Sequence, residues 1–201
     1  NLLLNYLTTW QSNGAWAVPV VVYGNRSYGN ALVELYDILR YRGFHPIAAA
    51  AFVGQHSFTT RLATGRPDRE DLEKAEQFSA EIVRRILQPG EFTGIKIPGQ
   101  GAPDYGGYYK PKGRDEEVVN FLKAKPVTTD ACIDCRRCAK VCPMGAIRLD
   151  HPSEVSGICI KCNACVKQCP VHAKQLTDEA YLSHVGFLEN RYTSRARIEL
   201  F

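Results

Sequence analysis

No apolar run in this chain is long enough to cross a bilayer. The longest, residues 15–23, is broken by Pro19 and falls well short of the roughly 18 to 20 residues that a span requires, so no membrane span is expected. Charge of one sign is also scarce: 25 Lys and Arg stand against 21 Asp and Glu, a formal net charge of +4 over 201 residues. So small an excess gives no field for gathering a polyanion, and nucleic acid is not expected among the partners. No secretory segment is legible, and a cytoplasmic location is expected. Asn1-Leu2-Leu3-Leu4 lacks an initiator Met and enters directly on an apolar run, as a cut end would. Glu199-Leu200-Phe201 follows a polar tail, as a natural end would. No cysteine falls outside two short runs, which leaves none for a disulfide framework.

Those two runs are the densest information in the chain. Cys132, Cys135, Cys138 and Cys142, followed by Pro143, read C-x2-C-x2-C-x3-C-P; Cys159, Cys162, Cys165, Cys169 and Pro170 repeat every interval. Structural zinc usually takes two C-x2-C pairs separated by a dozen or more residues, and a thioredoxin-type redox site takes one such pair. The repeated spacing instead belongs to bacterial-type ferredoxins, in which the fourth cysteine of each run serves the other cluster. Thiolates two residues apart on a curling loop meet three irons of a [4Fe-4S] cube, and the fourth points across. The expected ligand sets are therefore Cys132, Cys135, Cys138 and Cys169 for one cluster, and Cys159, Cys162, Cys165 and Cys142 for the other.

An apolar share of 45% over this length leaves material for a second core. Pro19-Val20-Val21-Val22-Tyr23-Gly24 reads as a fully buried strand of a parallel sheet. Leu32, Leu35, Tyr36 and Leu39 then recur at helical spacing as far as Gly43. Residues 47–53, rich in alanine, read as the next strand. A long helix is expected from about Asp68, turning Leu72, Ala75, Ile82 and Ile86 inward and stopping before Pro89-Gly90. Residues 89–113, including Pro98-Gly99-Gln100-Gly101-Ala102-Pro103 and Tyr105-Gly106-Gly107-Tyr108-Tyr109, show no periodicity and read as a connector between domains. Between the cysteine runs, Ile147-Arg148-Leu149 and the turn His151-Pro152-Ser153 predict a hairpin. Thr177-Asp178-Glu179 predicts the cap of a last helix with Tyr181, Val185 and Leu188 on one face. The expected domains are residues 1–125, 126–176 and a helix with tail at 177–201.

The whole chain resembles the EFR1 family, in which a flavodoxin-like domain is fused to a two-cluster ferredoxin. The stretches that carry the resemblance are Val22-Tyr23-Gly24-Asn25-Arg26, the run from Ala51 to Ser57 (Ala-Phe-Val-Gly-Gln-His-Ser), Gly65-Arg66-Pro67-Asp68, both cysteine runs and Glu199-Leu200-Phe201. It implies an α/β plus α+β protein: a partial flavodoxin-like doubly wound sheet followed by a ferredoxin domain. The Ser/Thr/Gly-rich loop that anchors the FMN phosphate in flavodoxin-like domains has no counterpart in residues 1–18. The chain reads as starting at the helix before the fourth strand. FMN is thus expected only where the missing N-terminal part is supplied.

The resemblance marks the loop after that strand, with Gly24, Asn25, Arg26 and Tyr28, as a flavin-facing surface, against a plain strand-to-helix turn. His56-Ser57 reads as a proton donor or, more simply, a hydrogen-bonded corner. Arg66-Pro67-Asp68 reads as a helix start. Around the cysteines, Arg136, Arg137, Lys140, Arg148, Lys161, Lys167 and Lys174 outnumber Asp130, Asp134, Asp150 and Glu154, a face for an acidic redox partner or an offset for anionic clusters. Ala139, Gly145, Ala146, Ala164 and Ala173 are small enough to let backbone amides close on the sulfurs. The expected function is electron transfer through two [4Fe-4S] clusters to redox partner proteins, as a carrier or as a module of an oxidoreductase. The competing expectation is a docking module in which the clusters are structural.

Overall fold

A computed structural model describes residues 2–88, 94–101 and 105–201. The expected helix stop at Pro89-Gly90, the Ala102-Pro103 part of the connector and Asn1 lie outside the described residues. Contacts divide the chain into two compact units. The first takes the described residues of Asn1–His56, Leu62–Tyr109 and Ser194–Phe201; the second takes Ser57–Arg61 and Lys110–Thr193.

The first unit has two short parallel ladders, the longer one extended by an antiparallel strand and flanked by a helix on each face. After a short helix α1 (Leu2–Leu7), β1 (Trp16–Ala17) pairs in parallel with β3 (His45–Pro46), and β2 (Val20–Tyr23) with β4 (Ala50–Val53). Pro19 lies between β1 and β2 and has no N–H to donate, and the register shifts by one residue across it. Residues 47–49, expected as strand, therefore form a bulge: Ile47 N–H donates to Ala17 and Ala50 N–H to Pro19.

Alternation along this strand explains its alanines. Ala49 and Ala51 pack under α2 (Ala31–Tyr41), against Leu32, Val33 and Tyr36, while Ala48 and Ala50 pack on Phe78 of α3 (Arg69–Leu87) on the opposite face. Side chains without bulk let both helices approach. Ile95 and Ile97 complete the α2 side, so part of the expected connector is core. The reading of the Val20-Val21-Val22 strand as fully buried is corrected. Val21 and Tyr23 face α2, but Val22 is 70% exposed, because α3 covers β4 and not its neighbour.

Helix α3 is also rotated from its expected face. Leu72, at 54% exposure, and Ile86 point outward; Asp71 and Phe78 are buried, with Ala75 and Ile82 half-buried beside them. Asp71 takes the inward position because Arg66 is already there. The guanidinium meets both carboxylate oxygens, one at 2.7 Å from Nε, and donates from its other nitrogen to the Ala196 carbonyl at 2.7 Å. Asp71 also closes a capping box with Asp68, the N-cap residue. Arg195 adds a second cation over Asp68, Glu70 and Asp71.

These contacts seat the tail Ser194–Phe201 on the first unit. Its β7 (Glu199–Leu200) runs antiparallel to β4 as the third strand of that sheet. Phe201 and Ala49 exchange both backbone hydrogen bonds, and the Tyr23 hydroxyl donates to Arg197 at 2.6 Å.

The second unit consists of short pieces. β5 (Val127–Thr128) pairs antiparallel with β6 (Lys174–Gln175), α4 (Arg137–Lys140) and α5 (Ala164–Lys167) are single turns inside the cysteine runs, and α6 (Glu179–Arg191) closes the unit. Asp178 caps α6 by accepting from Tyr181 N–H at 2.9 Å, and Tyr181, His184, Phe187 and Leu188 are its buried face. Tyr181 packs with Ala124, Leu176, Phe58 and Phe121. The hairpin lies between the cysteine runs, with Ile147 bridging Val155. No helix among the described residues is long and apolar enough to cross a membrane.

The buried Arg66–Asp71 pair makes a measurable claim. Asp71→Asn leaves the Arg66 charge without its partner, a change that costs about 3–5 kcal/mol at buried pairs. The guanidinium bond, the main influence, holds the Asp71 carboxyl below the usual range despite burial. Its stabilisation is therefore fully present above about pH 4, where an unfolded Asp is ionised, and is lost as pH falls through the lower folded value. Denaturant unfolding followed by Trp10 and Trp16, both in the first unit, should show the full deficit in the variant at pH 7 and a shrinking one in acid.

Candidate metal centre

The two cysteine runs have one backbone conformation used twice. Asp134 and Lys161, each two residues after the first cysteine of its run, have φ of 52° and 56°. Arg136 and Asn163, one residue after the second cysteine, have 60° and 58°; Gly145 and His172, three after the fourth, have 57° and 53°. Left-handed residues at these points curl the loop so that successive cysteines face one side. The pairing is duplicated too: Thr128 opposite Lys174 corresponds in position to Val155 opposite Ile147.

This curl produces two cavities. One is lined by Cys132, Cys135, Cys138 and Cys169, the other by Cys159, Cys162, Cys165 and Cys142. Each thus gathers three cysteines of one run and the fourth of the other. They enclose about 330 and 380 Å³ of atom-free space, open solvent included, between walls that are otherwise mostly apolar. No three His, Cys, Asp or Glu of the described residues converge on a point suited to a single metal ion. Four thiols around a cavity instead match a wider inorganic group, and eight soft sulfur donors with no competing carboxylate in either lining suit iron–sulfur chemistry.

The environment of the sulfurs is polarised from the backbone. Ala146 N–H donates to Cys142 Sγ at 3.3 Å and Ala173 N–H to Cys169 Sγ at 3.2 Å, again at matching positions. At Cys169 burial raises the thiol pKa, but backbone N–H groups of residues 171–174 more than offset it, and the net shift is downward. Cys138 and Cys165 lie deeper. Burial pushes both up, Cys165 to about 11, with the Lys174 charge opposing.

The other sequence-marked residues do different work. Gly24 lets His56 close in, since a Cβ there would lie 2.9 Å from the His56 Cα. Asn25, buried with φ of 71°, spends its amide on the tail, donating to Ser194 at 2.9 Å and accepting from Ala196 N–H at 3.1 Å. Arg26 and Tyr28 line a cavity of the first unit with Glu34, Tyr105, Tyr108 and Tyr109; Gly24 and Asn25 do not. Arg26 lies 3.6 Å over the Tyr109 ring, and the Tyr28 hydroxyl donates to Glu199 at 2.9 Å. Of the basic residues around the cysteines, Lys161 and Lys174 are buried, which removes these two from a docking face and leaves the alternative of an offset for anionic clusters. Arg148 pairs with Asp150 and Glu154.

Comparison with protein families matches residues 131–173 to the 4Fe-4S dicluster domain. The chain therefore contains a ferredoxin-type iron–sulfur domain, a class that points to electron transfer in general. No curated protein matches the chain.

The left-handed positions can be tested at Arg136, a half-exposed side chain that lines the edge of one cavity and pairs with Asp134 at 3.7 Å. Arg136→Val should cost about 1–2 kcal/mol, the penalty of a branched side chain in that conformation. Arg136→Gly should be neutral or mildly stabilising. Anaerobic denaturation of the iron-loaded protein, followed by visible absorption, measures the difference.

Proposed function

We propose that the chain transfers electrons through two [4Fe-4S] clusters, one held by Cys132, Cys135, Cys138 and Cys169 and the other by Cys142, Cys159, Cys162 and Cys165. The observation that carries this reading is the exchange of the fourth cysteine between the two cavities. Bound cubes supply one-electron redox chemistry. The chain's residues fix eight thiolates, direct amides of Ala146 and Ala173 at two of them, and surround them with Ile147, Val155 and Val166. In this reading residues 126–176 are the cluster domain, and the partners are redox proteins.

The tests are compositional and topological. Anaerobically loaded protein should contain about eight iron and eight acid-labile sulfide per chain. Stoichiometric zinc without sulfide would sink the reading. Cys142→Ser should alter the same paramagnetic signal as Cys159→Ser and leave that of Cys132→Ser distinct. If the clusters are only structural, a low-potential reductant will fail to bleach the visible absorption rapidly and reversibly.

The resemblance to the EFR1 family adds a proposed flavin partnership in the first unit, with the four-tyrosine cavity offering Tyr28 and Tyr109 as stacking surfaces. Asn30 and Ala31, at the start of α2, line this cavity, a favourable place for a phosphate. However, Glu34 already puts a carboxylate in that first turn, where it accepts from the Tyr108 hydroxyl at 2.6 Å. FMN should therefore bind this chain weakly, and more tightly once a preceding strand and phosphate loop are supplied. Flavin fluorescence quenching of both forms measures it; tight binding by the 201 residues alone would contradict this account.

A further inference from the structure

We propose that Lys161 and Lys174 are internal counter-cations, one per cysteine-lined cavity, and that each raises the reduction potential of the cluster its own cavity holds. The proposal rests on the electron-transfer reading above.

Burial is the first observation. Lys161 is 9% exposed and Lys174 2%, in a residue type that is almost never buried without a charged partner. Neither has one. The Lys161 ammonium donates to the carbonyls of Leu122 and, at 3.0 Å, Cys159. The Lys174 ammonium donates to the Thr128 hydroxyl at 2.5 Å and meets the Ser153 carbonyl at 3.5 Å. No ion pair among the described residues includes either ammonium, so both cations are solvated by neutral dipoles and lack an anion.

Position supplies the anion. Lys161 lines the cavity of Cys142, Cys159, Cys162 and Cys165, and Lys174 the cavity of Cys132, Cys135, Cys138 and Cys169. Four thiolates around an iron–sulfide cube carry net negative charge. Reduction by one electron from an external donor adds one more negative charge and breaks no bond. A fixed cation in the same low-dielectric wall favours the reduced form.

The duplicated backbone separates this role from a requirement of the fold. The position matching Lys161 in the other run is Asp134, and the one matching Lys174 is Ile147. The same left-handed loop thus accommodates an exposed acid, and the same bridge position an apolar side chain. Nothing common to both halves calls for lysine, yet each cavity has acquired one from a different place in the motif.

The experiment uses the full chain loaded anaerobically with iron and sulfide, with metal and sulfide content measured first. Equilibrium reduction is followed by electron paramagnetic resonance in the wild type and in Lys161→Met, Lys174→Met, Lys161→Arg and Lys174→Arg. Signals are assigned to a cavity through Cys162→Ser and Cys135→Ser. Each Met variant should lower the one-electron equilibrium constant of its own cluster at least tenfold, equivalent to 59 mV, and move the other less. Each Arg variant should restore most of the loss. A change below about twofold in both Met variants overturns the proposal while leaving electron transfer intact. Wild type that takes up no iron and sulfide overturns the electron-transfer reading itself. If a Met variant fails to load, loading by its Arg counterpart supports the charge role, and failure of both assigns the lysine to packing and overturns it.

Discussion

A thiol in each cysteine run must reach a cavity built by the other run, and the second unit is organised around that exchange. Cys142 leaves its own three cysteines to join Cys159, Cys162 and Cys165, and Cys169 makes the reciprocal move. Neither half can be displaced without opening both cavities. The short ladders serve this arrangement. Thr128 opposite Lys174 and Val155 opposite Ile147 are the same joint on either side of the exchange. The apolar cluster of this region is itself made partly of cysteines that line the cavities, with Cys138 and Cys165 buried beside Ile147. So small a core would gain much of its stability from the clusters proposed for these thiols.

The first unit depends on a different kind of constraint. Its sheet is covered on both sides at β4, and alanines at residues 48–51 set how closely α2 and α3 approach. The charged group of Arg66, Asp71, Asp68 and Arg195 then joins the start of α3 to the tail. This unit is held by burial and directional hydrogen bonds, and its described residues include none of the cysteines.

How much of this was legible in the sequence depends on whether a feature is local. The cysteine spacing, the caps at Asp68 and Asp178 and the hairpin at Ile147 depend on residues a few positions apart, and short-range pattern exposes them. The inward face of α3 did not follow from hydrophobicity. Asp71 is buried by pairing with Arg66, and a periodicity of apolar residues assigns that position to Leu72. Ile95 and Ile97 lie in a stretch without repeat, so their place in the core depended on distant partners. Composition around the cysteines does not separate the buried Lys161 and Lys174 from the other basic residues there, because lysine is usually exposed. The available signal was comparison of the two runs, where Asp134 and Ile147 occupy the matching positions.

The route of the chain has a consequence for its synthesis. Ser194–Phe201 belongs to the first unit, yet it follows the whole of Lys110–Thr193 in sequence. A ribosome therefore delivers the cysteine-rich segment before the strand that completes the earlier sheet. Until β7 emerges, β4 has a bare edge at Ala50 and Ala51, and Asp71 lacks the second cation from Arg195. Completion of this sheet thus waits for the last residues of the given sequence, whereas the pairing of β2 with β4 needs only its first quarter.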